Sequence, residues 1–153
     1  MNAIRSLVAV ALLALAAAAT AAGPRGIDTA SISVGGERVR LFGVAAPDPE
    51  QTCEELRDNG PRRYPCGQHA RAFLQSLVAG REPVCVREAA DSATCYVDGT
   101  DVGLAMVEAG WAVARRDESA RYLRAQDAAR AAGRGLWLGS FDDPTLPAAR
   151  PRR

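Results

Sequence analysis

Between residues 27 and 46 apolar and polar positions alternate. Ala30, Ile32 and Val34 fall at every second place in "IDTASISV", and "ERVRLFGV" returns with Val39 and Leu41 on one face and Arg38, Arg40 and Phe42 on the other. A period of two marks half-buried strands, and the Gly35-Gly36 pair between them reads as a two-residue hairpin turn. From residue 47 to 66 the periodicity stops. This stretch is charged, holds Asn59-Gly60-Pro61, and predicts a long surface loop. The period then changes: in "GQHARAFLQSLVAG", residues 67–80, Ala70, Phe73, Leu74, Leu77 and Val78 recur at helical spacing, with Gly80 as the stop. A strand pair is expected over 82–97, then a turn at Asp98-Gly99. Asp101 is placed to cap a short helix running through Ala109, and Gly110 ends it. Residues 111–114 read as a strand or packed extension, and 119–132 as a third helix stopped by Gly133 and Gly135. Leu136, Trp137 and Leu138 then return the chain to the core. No repeat is present. The order of strands, helix, hairpin, helix, helix favours an α+β fold built on a small five-stranded β-barrel with about three helices.

The two ends depart from this pattern. Residues 1–22 combine Arg5, an apolar run from Leu7 to Ala19 and small residues through Ala22. That is the form of a signal peptide cleaved after Ala21 or Ala22, and the run is shorter than the roughly 20 residues a membrane span needs. The expected domain therefore covers 23–141, acts as a monomer in the periplasm or outside the cell, and keeps no membrane span. The closing "DDPTLPAARPRR", 142–153, is rich in proline and arginine and predicts a disordered tail. Composition adds one exclusion. The chain has no lysine and a net charge of +1, so no global positive field draws in nucleic acid, although a local groove still can.

Four cysteines in an exported chain suggest two disulfides, with three possible pairings. In "CVREAADSATC", Cys85 and Cys95 lie symmetrically about Ala90, as they would on facing strands of a hairpin. Cys53 and Cys66 then close the loop between them, worth roughly 3 kcal/mol in chain entropy. The rival reading is a four-cysteine zinc site. It fits poorly, because 12, 18 and 9 residues separate the cysteines where zinc sites use tight C-x2-C pairs.

Four stretches taken together, "RLFGVAAPDPEQTC", "YPCGQHAR", "CYVDGTDVGLAMVEAGWAVA" and "YLRAQDAARAAGRGLW", resemble the thermonuclease (staphylococcal nuclease-like) family over residues 26–141. The resemblance implies an OB-fold barrel with helices and a calcium-dependent phosphodiesterase that cleaves DNA and RNA. Exported bacterial members commonly share the "QTC…YPCG" cysteine pair. The family pattern has "DGDT" on the first strand, "RLxGIDAPE" on the return strand and "RYGR" at the hairpin tip. Carried over by position, the calcium aspartate falls on Asp28, beside Thr29, and the phosphate-contacting arginine on Arg40. The second calcium aspartate falls on Ala45. The base or water-orienting glutamate falls on Asp48, one methylene shorter. "REAADSATC" has no tip arginine, and Arg87 belongs to the hairpin strand, so the second arginine's role is not transferred to it.

Phosphodiester hydrolysis requires charge neutralised on the phosphate, an activated water, and a metal that holds both. Calcium takes six to eight oxygens, mostly from carboxylates, so Asp28 without a partner at Ala45 predicts weak calcium binding at most. Loss of one transition-state cation typically costs about 100–1000-fold in rate. The expectation is a catalytically degenerate relative, a pseudoenzyme serving as a binding or accessory module for nucleic acid or a nucleotide, with Arg40 and Asp48 as residual catalytic positions and Asp28 as a residual metal ligand. Two alternatives stand beside it: an active nuclease with Glu50 standing in for the missing carboxylate, and a purely structural envelope protein. Each residue also has a plainer role. Arg40 is expected to pair with Asp28 or Asp48. Asp48 and Glu50 read as solvated loop charge, and His69 as a surface or capping group at a helix start. Tyr64 and Tyr122 are placed to stack on a base or to pack at the barrel rim. Arginines 115, 116, 121, 124 and 130 read as a wetted face diluted by Asp117, Glu118 and Asp127.

Overall fold

The computed structural model describes residues 29–147; the leader at 1–22, Asp28 and tail residues 148–153 lie outside them. The alternating stretch forms β1 (Ser31–Val34) and β2 (Glu37–Leu41), antiparallel, with Ile32 opposite Val39. Gly35 and Gly36 take φ of 58° and 85°. A type I′ turn needs both central residues left-handed, which only glycine adopts freely. The chain turns at Gly43 into β3 (Val44–Ala45).

The expected loop at 47–66 is more ordered than its sequence suggests. It contains β4 (Cys53–Glu55) and β5 (Arg62–Tyr64), paired with Cys53 opposite Tyr64. Three-residue strands are too short to show a period. Tertiary contacts hold this hairpin: the Cys53–Cys66 disulfide, and Tyr64, buried with its hydroxyl donating to the Gly135 carbonyl at 3.0 Å.

α1 (Cys66–Val78) follows, with Ala70 and Leu74 buried and Phe73, Leu77 and Val78 half-buried along the expected stripe. Then come β6 (Val84–Ala89), β7 (Ser92–Val97) and β8 (Thr100–Asp101). Cys85 lies directly opposite Cys95 in the β6–β7 ladder and is bonded to it, so both disulfides are the expected ones and no free cysteine remains. α2 (Val102–Glu108) is capped by Asp101, whose carboxylate accepts from the Leu104 amide at 3.0 Å. β9 (Val113–Ala114) leads through a 3-10 turn at Ala120–Tyr122 into α3 (Leu123–Ala131). A second 3-10 turn, Gly135–Leu138, precedes β10 (Gly139–Ser140), which pairs with β4.

The fold is α+β, but among the described residues the ladders do not close into a barrel. Five strands make one sheet in the order β1-β2-β7-β6, with β8 added on β7, and β1 and β6 are its ends. The strand path breaks at Gly43, where φ of 76° ends β2. β3 then pairs with β9 as a separate two-stranded ladder. The main core joins Leu41, Val44, Val102, Met106, Val107 and Tyr122 beneath α1 and α2. A smaller one gathers Tyr64, Val113 and Leu136 around the Cys53–Cys66 bridge. Fully burying one such aliphatic side chain contributes about 1.5–3 kcal/mol. No helix among the described residues is long and apolar enough to cross a membrane.

Candidate functional site

Arg40 stands near the end of β2, with its side chain 22% exposed. Its Nη1 donates to Glu118 Oε2 at 3.0 Å, and its Nε lies 3.6 Å from the Asp91 carboxylate at the β6–β7 tip. The same Glu118 oxygen accepts the Gly43 amide at 2.9 Å, while its other oxygen is 3.9 Å from Arg115 Nε. One carboxylate is thus held by two guanidiniums and a backbone N–H. Burial pulls the Arg40 pKa down, but the hydrogen bond and charge of Glu118, with help from Asp91, more than offset it and leave the guanidinium above its ordinary value.

Gly43 makes this arrangement possible. A Cβ there would lie 2.7 Å from the Ser119 Cβ and 2.9 Å from the Tyr122 ring, at a φ that side chains disfavour. Without one, the segment after β9 packs directly on the β2–β3 turn, and the Arg115 amide donates to the Gly43 carbonyl at 2.8 Å. That close approach delivers Glu118 to Arg40. Arg40 is thus ion-paired with Glu118 and Asp91; the expected partner Asp48 is not among its contacts, and Asp28 lies outside the described residues. Glu118, read in the sequence as a diluting surface charge, supplies the main contact, and Asp91 the second. Nothing in the local pattern around residue 118 marks it, because the contact spans 78 positions.

Asp48 is exposed; its Oδ1 accepts the Glu50 amide at 2.9 Å, and no hydrogen bond or ion pair joins it to Arg40 among the described residues. Thr29, buried at the approach to β1, donates its hydroxyl to the Pro47 carbonyl and so ties that end of the sheet to the Asp48 loop. Asp28 lies outside the described residues. Ala45 is buried, 3% exposed, and presents only a methyl group. Calcium binding relies on several carboxylate oxygens. Among the described residues no three of His, Cys, Asp and Glu gather, and the expected ligand Asp28 lies outside them. Arg87 lies on β6, bonded to the Ala90 carbonyl and paired with Glu37, so it does not take the place of a tip arginine.

The aromatic and histidine candidates lie against other protein groups. His69 is exposed on α1, with Tyr64 and Trp111 at 6.0 and 5.6 Å between ring centres. Tyr122 is buried and donates to Asp101 Oδ2 at 2.8 Å, while Arg121 donates to the Tyr122 hydroxyl at 2.6 Å and pairs with Asp101. Burial, then the Asp101 hydrogen bond, push the Tyr122 phenol up to about 12, against the lowering pull of Arg121. The hydrogen bond that Arg121 donates to Tyr122 is the main reason its guanidinium is raised. This triad fastens the 3-10 turn before α3 to the start of α2, where the sequence marks only the Asp101 cap.

A family model described as staphylococcal nuclease homologue matches residues 38–139. The chain is also 34% identical over 119 residues to the succinoglycan biosynthesis protein ExoI of Rhizobium meliloti (strain 1021). That match covers 72% of this chain and 61% of the relative, so the chain spans less than two thirds of the relative's length.

Proposed function

Because this chain belongs to the staphylococcal nuclease homologue family, we propose that it is a catalytically degenerate member whose phosphate site is occupied by its own Glu118, and that it works as a binding or accessory module rather than as an efficient nuclease. The observation that carries this reading is the Glu118 carboxylate between Arg40, Arg115 and the Gly43 amide. Guanidiniums and a backbone N–H are what a phosphate oxygen seeks, and an internal anion that already satisfies them competes with any phosphodiester. The methyl group of Ala45 supports the reading further, since it removes an oxygen donor where the family pattern has an aspartate. The relative is named for a biosynthetic role and not for nucleic-acid breakdown, which also favours an accessory part.

In this reading the five-stranded sheet is an open version of the family's OB-type barrel, and the protein is a monomer exported to the periplasm or beyond. The two disulfides support export, because such bonds persist in oxidising compartments. Residual function at the Arg40 and Asp48 positions is confined to weak binding of nucleic acid or nucleotide, with any calcium held through Asp28. The test is digestion of plasmid and single-stranded DNA by the purified chain, with calcium and with a chelator. Cleavage at least about a thousandfold below an active relative is expected from the missing cation and the displaced carboxylate. Rapid cleavage abolished by the chelator would overturn the proposal.

A further inference from the structure

A pocket of about 520 Å³ lies between the end of β9, one face of α3, the 3-10 turn after it and residues 141–145. Its volume is in the range of small-molecule sites, about 300–1,000 Å³. Three features define its chemistry. Arg116 and Arg130 both line it, and neither forms an ion pair or hydrogen bond among the described residues; Arg130 rests only over the Trp137 ring, 5.6 Å from its centre. Gln126, 8% exposed, spends its carbonyl oxygen on the Ala114 amide at 2.8 Å, while its Nε2 has no acceptor among the described residues. Trp137 packs edge-to-face on Phe141 at 5.0 Å, and the two rings form an apolar wall. The guanidiniums and the Gln126 amide are donors open to an acceptor in the pocket.

The chemistry of the rim narrows the ligand. Asp117 and Asp143 also line the pocket, so it is not a simple anion trap. Asp143 is partly engaged, its Oδ1 accepting from Thr145, whereas Asp117 has no partner among the described residues. Arginine only donates and a carboxylate only accepts. A ligand that satisfies both needs hydroxyl groups, which do either, together with an oxyanion for the two free guanidiniums. Arg115 is left out of this set, because it is already engaged by Glu118 and the Val44 carbonyl. From these groups we infer that the pocket binds a sugar ring carrying one oxyanion, a phosphate or a carboxylate, with the ring against Trp137 and Phe141. The site is independent of the Arg40 reading.

Isothermal titration calorimetry of the purified chain tests this with glucose 6-phosphate, glucuronate, glucose and inorganic phosphate as probes. Saturable binding is expected for at least one of the two charged sugars, with glucose and phosphate each at least about tenfold weaker, since each supplies half of the required chemistry. The preferred charged sugar identifies the oxyanion. Arg116→Gln is expected to weaken binding by about tenfold or more, the effect of one charge-assisted hydrogen bond. Arg124→Gln, an exposed arginine on α3 that does not line the pocket, is expected to leave it within about twofold. Circular dichroism should show both variants folded, as neither arginine has an ion-pair or hydrogen-bond partner among the described residues. No saturable binding below about 10 mM, binding of glucose or phosphate as tight as the charged sugars, or equal losses in the two variants would each overturn the inference.

Discussion

Glu118→Gln is the most informative single change, because it removes the charge while keeping the volume and an oxygen for the Gly43 amide. At about 4 Å and an effective dielectric near 20, two unit charges attract by about 4 kcal/mol before desolvation. Glu118 and Arg40 are 3.0 Å apart, with side chains 21% and 22% exposed. Water therefore still screens the pair, and the net value falls to about 1–2 kcal/mol. The expected loss in chemical denaturation is of that size, a Tm lower by roughly 3–8 °C for a domain of this length. The same change frees Arg40 and Arg115 for an external anion. A nucleoside bisphosphate that leaves the parent's Tm unmoved should raise that of Glu118→Gln, and added salt should weaken the shift, because exposed charges are screened over about 8–10 Å. A double-mutant cycle with Arg40→Gln isolates the pair, with a coupling of about 1–2 kcal/mol expected. Coupling below about 0.5 kcal/mol, together with no anion-dependent shift in Glu118→Gln, would refute the reasoning that Glu118 fills a phosphate site.

Two further outcomes follow from other parts of the molecule. The Tyr122 phenol is raised to about 12 from an ordinary value near 10. The folded state therefore keeps a proton that the unfolded chain gives up first, and the stabilisation is whole below pH 10 and lost as pH rises from about 10 to 12. About 2–3 kcal/mol is at stake, and urea titrations across that range should show a shallower decline in Tyr122→Phe than in the parent. Replacing Cys53 and Cys66 together by serine should cost about 3 kcal/mol by chain entropy, read from the denaturation midpoint. A loss under about 1 kcal/mol would mean that the β4–β5 hairpin holds without its bridge.

Local patterns carried much of the fold. The β1–β2 hairpin, the Asp101 cap, the α1 stripe and the glycine stops were legible because each depends on residues within a few positions of one another. The Cys85–Cys95 bond was legible for the same reason, since the hairpin's symmetry places its two partners opposite each other. Family likeness pointed to Arg40 as the residue to watch. What the sequence did not reveal is what Arg40 touches. Glu118 and Asp91 reach it across 78 and 51 positions, through a turn that only Gly43 lets pack so closely. The β4–β5 hairpin, the open sheet and the pocket at Trp137 are likewise products of contacts between distant segments. Periodicity records which face of an element is buried; which carboxylate meets which guanidinium depends on how the elements pack, and that was decided only when the chain folded.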